Sequence, residues 1–103
     1  MLIRKALDKL ITDFLADLRM EGYVFSKVYL FGSYAKGKPK QHSDVDLALW
    51  HEIFTGVSFV NIVPFLHLVG KYRPIELHTF NDNETDADDG FIEEILKTGL
   101  QIT

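Results

Sequence analysis

Residues 31–50, FGSYAKGKPKQHSDVDLALW, decide how the rest of the chain is read. They follow a β-branched and aromatic run, residues 24–31 (VFSKVYLF), that is predicted as a strand. Gly32-Ser33 ends that strand, and a glycine there lets backbone N–H groups come close to a ligand. Ser33 adds a hydroxyl donor, and Lys36, Lys38 and Lys40 follow in one loop, residue types that suit phosphate oxygens. The GxxxxGK[ST] string of a P-loop is absent. Ten residues after Ser33 come Asp44 and Asp46, opening a second predicted strand over 45–50. Period two sends Asp46, Ala48 and Trp50 to one side and Val45, Leu47 and Leu49 to the other. It also places Asp44 with Asp46, where two carboxylates repel unless a hard oxygen-seeking cation such as Mg²⁺ joins them.

Working outward, residues 75–80 (IELHTF) are predicted as a third strand, with Glu76, His78 and Phe80 on one face. Glu76 supplies a third carboxylate. Three acids on neighbouring strands beside a phosphate-binding turn make a two-metal site for nucleotidyl transfer. His78 shares the Glu76 face and is read as a supporting partner; His42, His51 and His67 show no short-spaced metal motif. Trp50 and Tyr34 have both core and ligand-contact readings, with core favoured for Trp50.

The flanks are helical. Leu2, Ile3, Ala6, Leu7, Leu10, Ile11, Phe14, Leu15 and Leu18 recur at intervals of three and four and are predicted to share one helix face, with Gly22 stopping the helix near Glu21. Residues 57–70 are predicted as a helix that starts or kinks at Pro64, and residues 91–98 as a last amphipathic helix capped by Gly99. The order helix, strand, loop, strand, helix, strand, helix predicts an α+β fold: a small mixed β-sheet packed with helices, a single domain over 1–103. Strand order stays open at this point.

Composition narrows the function classes. The 103 residues contain no cysteine, which excludes disulfide frameworks, cysteine-bound zinc, iron–sulfur clusters and thiol nucleophiles. No apolar run reaches membrane-spanning length and the N-terminus lacks a signal-peptide pattern, so the expected location is cytoplasmic. A net charge of −4 argues against broad capture of nucleic acid, and no direct nucleic-acid partner is expected. The charge is uneven: residues 81–103 hold 7 acidic and 1 basic side chains.

The joint pattern of strand, Gly-Ser, ten residues, Asp-x-Asp and a later acidic strand resembles the minimal nucleotidyltransferase family of the polymerase β-like superfamily. The resemblance runs over essentially the whole chain and implies the polymerase β-like nucleotidyltransferase fold. It implies that Gly32 and Ser33, with Lys36 and Lys38 nearby, hold the triphosphate of ATP. It implies that Asp44, Asp46 and Glu76 are the catalytic, metal-binding acids for Mg²⁺, two ions being expected; the family's third acid is commonly aspartate, and glutamate here adds a methylene. Many small prokaryotic members are antitoxins paired with a helical HEPN-domain toxin, and some transfer AMP from ATP to a tyrosine of that partner. The resemblance therefore implies a protein AMPylating antitoxin with a HEPN-type partner, in a homo- or hetero-oligomer. The alternative is a catalytically degenerate module that neutralises its partner by occlusion. Asp82, Glu84, Asp86, Asp88 and Asp89 are expected to attract a basic partner surface.

Overall fold

The computed structural model describes residues 1–87 and 89–103. The first amphipathic segment forms α1, Arg4–Met20, whose exposed side is laced by the i,i+4 pairs Arg4–Asp8 and Lys9–Asp13. Leu7, Ile11, Phe14 and Leu18 are its buried stripe. Ile3 does not join them: it is the N-cap residue and 72% exposed, because nine residues cover a wider arc than the sheet contacts. Glu21 is the C-cap, as the position of Gly22 predicts.

Strand β1 is Lys27–Phe31, shorter than the expected 24–31. Val24 is exposed and Phe25 leaves the strand path to stack on Phe54 at 6.0 Å. Strand β2, Val45–Trp50, matches the expected bounds, as does β3, Ile75–Phe80. Between them lies an uncapped, broken helix: α2, Ser58–Ile62, a 3-10 turn, Val63–Phe65, and α3, Leu66–Lys71. Pro64 sits at the start of the 3-10 turn, where its missing N–H is tolerated. Buried Asn61 ties this segment to the sheet: its amide donates to Thr79 Oγ1 at 2.9 Å and to Thr55 O at 2.8 Å. The chain ends with α4, Gly90–Thr98, capped by Gly99, and β4, Leu100–Gln101, a two-residue strand too short to leave a periodic signal.

The sheet order is β3-β2-β1-β4, with β1 antiparallel to both β2 and β4 and β2 parallel to β3. The parallel pair needs the α2–α3 crossover that separates its strands. Period two then divides the sheet. Val28, Leu30, Val45, Leu47, Leu49, Ile75 and Leu77 join the α1 stripe in one core; Ala48, Trp50 and Phe80 join Ile92 and Ile95 of α4 in another. Trp50 is buried and donates from Nε1 to Glu84 O, and Tyr34 is buried with its hydroxyl accepting from Leu2 N, so both aromatics serve the core. His67 lies on the surface, 2.8 Å from Glu21 Oε2. Among the described residues no helix is long and apolar enough to cross a membrane.

The acidic stretch has more structural duties than an open charged face. Asp82 accepts from Ser26 Oγ, Glu84 accepts from Asn81 N, and Asp89 caps α4 by accepting from Phe91 N and Ile92 N. Asp88 lies outside the described residues.

Candidate functional site

The strand register builds the site. Phe31, Asp46 and Glu76 are lateral partners across β1, β2 and β3, and one pleat further Tyr29, Ala48 and His78 are partners on the same face. Asp46 and Glu76 therefore stand side by side, and His78 follows Glu76 along β3. Asp44 lies just ahead of β2, where Val45 N donates to Pro74 O at 2.9 Å and ties the strand entry to β3. The candidate acids Asp44, Asp46 and Glu76 are thus gathered at one end of the β2–β3 pair.

Gly32 explains how Asp46 fits. Its φ is +76°, which favours glycine, and a Cβ there would collide with Asp46 Oδ2. The Gly-Ser turn and the Asp-x-Asp strand are in direct contact because position 32 has no side chain. Residues 33–36, which open the stretch 33–43 expected as a turn followed by a loop, form one helical turn closed by a Schellman motif. Lys38 N donates to Ser33 O at 3.0 Å and Gly37 N to Tyr34 O at 3.3 Å, with Gly37 at φ +71°. The motif's signal was present in Gly37, four residues after Ser33.

Electrostatics set the carboxylates apart from ordinary surface acids. Desolvation pushes the Asp46 pKa up; His78 opposes this and Asp44 adds to it. Glu76 is raised by desolvation, then by a hydrogen bond with Asp44 that favours the protonated carboxyl, and further by Asp46, while His78 opposes. Asp44 thus makes both Asp46 and Glu76 harder to ionise, and a divalent cation relieves that strain. The donor set fits such an ion: one ligand atom each from Asp46, Glu76 and His78 lie within 4.8 Å of one another.

His78 has a larger place than the supporting role read from sequence. Its Nε2 lies 3.4 Å from Asp46 Oδ1 and 4.0 Å from Glu76 Oε1. The available signal was its spacing of two from Glu76 on a strand. Arg73 was missed altogether; with Asp44, Val69, Pro74, Ile75 and Glu76 it lines a cleft beside the acids. Its only sequence signal is a cation three residues before Glu76. Of the expected phosphate lysines, Lys36 reaches towards α4, with Nζ 3.8 Å from Glu94 Oε1. That exposed pair is weak and leaves the ammonium free to exchange partners. Lys38 takes part through its backbone N–H in the Schellman motif.

The arrangement sets a carboxylate–imidazole donor group of the kind divalent cations use beside a turn rich in backbone N–H groups. Two solved structures share the architecture. A candidate nucleotidyltransferase from Sulfolobus solfataricus is similar at TM-score 0.53 and 19% identity, over 90% of this chain and 76% of that one. A mutant of the toxin–antitoxin pair MntA–HpeT is similar at TM-score 0.54 and 20% identity, over 100% of this chain and 73% of that one. No curated protein matches the sequence significantly. The family described as "Polymerase beta, Nucleotidyltransferase" matches residues 20–103, from the end of α1 through both acid-bearing strands, and the chain belongs to it.

Proposed function

We propose that residues 1–103 act as one minimal nucleotidyltransferase domain that moves AMP from ATP to a tyrosine hydroxyl of a HEPN-type toxin, in the cytoplasm, and so serves as an antitoxin. The observation that carries this reading is the juxtaposition of Gly32 with Asp46, flanked by Glu76 on the neighbouring strand. Full-length likeness to the MntA–HpeT toxin–antitoxin structure supports the choice of a toxin partner.

In this reading Gly32 and Ser33 receive the triphosphate, with Lys36, Lys38 and Arg73 as nearby cations. Asp44, Asp46 and Glu76 hold Mg²⁺, which when bound neutralises charge on the phosphate oxygens. The acceptor oxygen forms a bond to the α-phosphorus, the bond from that phosphorus to the bridging oxygen breaks, and pyrophosphate leaves. The acceptor's proton passes to Glu76 or one of its neighbouring carboxylates. Positioning of the hydroxyl in line with the scissile bond comes from the partner's docking.

The test is incubation with α-labelled ATP, Mg²⁺ and the product of the adjacent gene. Label on a partner tyrosine, lost in Asp46→Asn, is the expected result. A partner neutralised without label would instead favour occlusion, and efficient transfer to a small molecule would remove the antitoxin role while keeping the transferase one.

A further inference from the structure

The side chain beside the carboxylates that the nucleotidyl-transfer reading does not use is His78. It is held, not loose. The ring packs edge-on against Phe31, with centroids 4.9 Å apart, and against Phe91 at 5.8 Å. Phe31 belongs to β1 and Phe91 to α4, and their own rings are 5.6 Å apart, so the imidazole is the third member of one edge-on aromatic cluster. Its side chain is only 26% exposed, and Nε2 is the ring atom that meets Asp46 Oδ1 and Glu76 Oε1. A histidine that merely packed against these two phenylalanines would not need to face a carboxylate pair. Nor do the acids need it for hard-cation binding, since Mg²⁺ is served by carboxylates and water.

We propose that His78 Nε2 is a protein ligand to the divalent cation, completing a mixed Asp46–Glu76–His78 centre that prefers first-row transition ions, Mn²⁺ among them, to Mg²⁺. Imidazole nitrogen is a donor that transition ions accept and Mg²⁺ largely refuses. Packing in the aromatic cluster with Phe31 and Phe91 restrains the ring and so limits the entropy lost when the metal is bound. The inference rests on the metal-dependent reading given above and sharpens it by naming the ion class.

The probe is Mn²⁺ added to the full chain. Pulsed electron paramagnetic resonance of bound Mn²⁺ should show nitrogen hyperfine coupling, which carboxylate and water ligands cannot produce. His78→Phe, which replaces one ring with another beside Phe31 and Phe91, should abolish that coupling. It should also weaken Mn²⁺ binding by about tenfold or more while changing Mg²⁺ binding little. The wild-type spectrum decides the matter even where the variant folds poorly. Bound Mn²⁺ without nitrogen coupling, or coupling that survives in a folded His78→Phe, would overturn the inference and leave a carboxylate metal site standing. Failure of the chain to bind Mn²⁺ at all would overturn both.

Discussion

The two faces of the sheet are drawn from the same three strands in strict alternation, yet they are used differently. The α1 face takes Val45, Leu47, Leu49, Ile75 and Leu77, all buried, and packs them against the Leu7–Leu18 stripe. The α4 face begins the same way at Trp50 and Phe80, then changes over a few pleats to His78, Asp46 and Glu76. One face is apolar except at Thr79, whose hydroxyl accepts from the Asn61 amide. The other is half core and half a cluster of acids whose pKa values are raised. Stability is concentrated where alternation is unbroken, and reactive groups stand where it is interrupted, at the strand ends beside Gly32.

The strongest way to break this contrast is to cut into the apolar face. Leu49→Ala removes a side chain that is 0% exposed and should cost about 2–5 kcal/mol, read from denaturant unfolding. A loss under ~1 kcal/mol would mean that this face is not the main core.

Next come Gly32 and Gly37, two of the three left-handed glycines, which separate backbone strain from site geometry. Gly37→Ala meets open space and should lose only the conformational preference, about 1 kcal/mol. Gly32→Ala carries the same penalty and also displaces Asp46, for a total of roughly 2 kcal/mol or more. Calorimetry should further show metal binding lost in Gly32→Ala and kept in Gly37→Ala. Equal metal affinity in the two variants would dissociate the glycine turn from the acids.

A smaller effect tests the acidic stretch. Asp89→Ala removes the side chain that caps α4 and should cost about 0.5–2 kcal/mol, whereas Asp86→Asn should change thermal stability by less than about 0.5 kcal/mol. Comparable losses would show that Asp86 has a structural partner as well.

How far these features could be read in advance follows from the kind of signal each leaves. Strands β2 and β3 alternate cleanly over six residues, so their bounds and their inward residues were legible from VDLALW and IELHTF. The end of α1 was legible because Gly22 follows it. The start of β1 was not: Val24 and Phe25 have strand propensity, but Phe25 is taken up by packing on Phe54. The strand order and β4 depend on pairings between distant segments, which local pattern does not carry. At the site, the spacing of Ser33 and Asp44 pointed to Asp44, Asp46 and Glu76. The contact of Gly32 with Asp46 could be seen only once β1 was paired with β2, and the packing of Phe31 and Phe91 beside His78 only once α4 was placed on the sheet.

A further predicted effect on stability has the opposite sign to the losses above. In metal-free protein, folded Asp46 keeps its proton above the ordinary 3.8 at which the unfolded chain releases it. Stability therefore falls as pH rises from the ordinary carboxylate range through the raised folded pKa, and levels off above it. Asp46→Asn removes this contribution. Measured in a chelator, the variant should be as stable as the native chain or more so near neutral pH, by within about 1 kcal/mol, with a flatter acid-to-neutral profile. An Asn variant that is clearly less stable near neutral pH would make Asp46 a structural residue.

The most direct test of the central claim, that the acid-bearing end of the α4 face is a metal-dependent nucleotide site, is calorimetric titration of ATP into the native chain and Asp46→Asn, with and without divalent cation. The account predicts cation-dependent ATP binding to the native chain and its loss in a variant that remains fully folded. Unchanged, cation-dependent ATP binding by folded Asp46→Asn would contradict it.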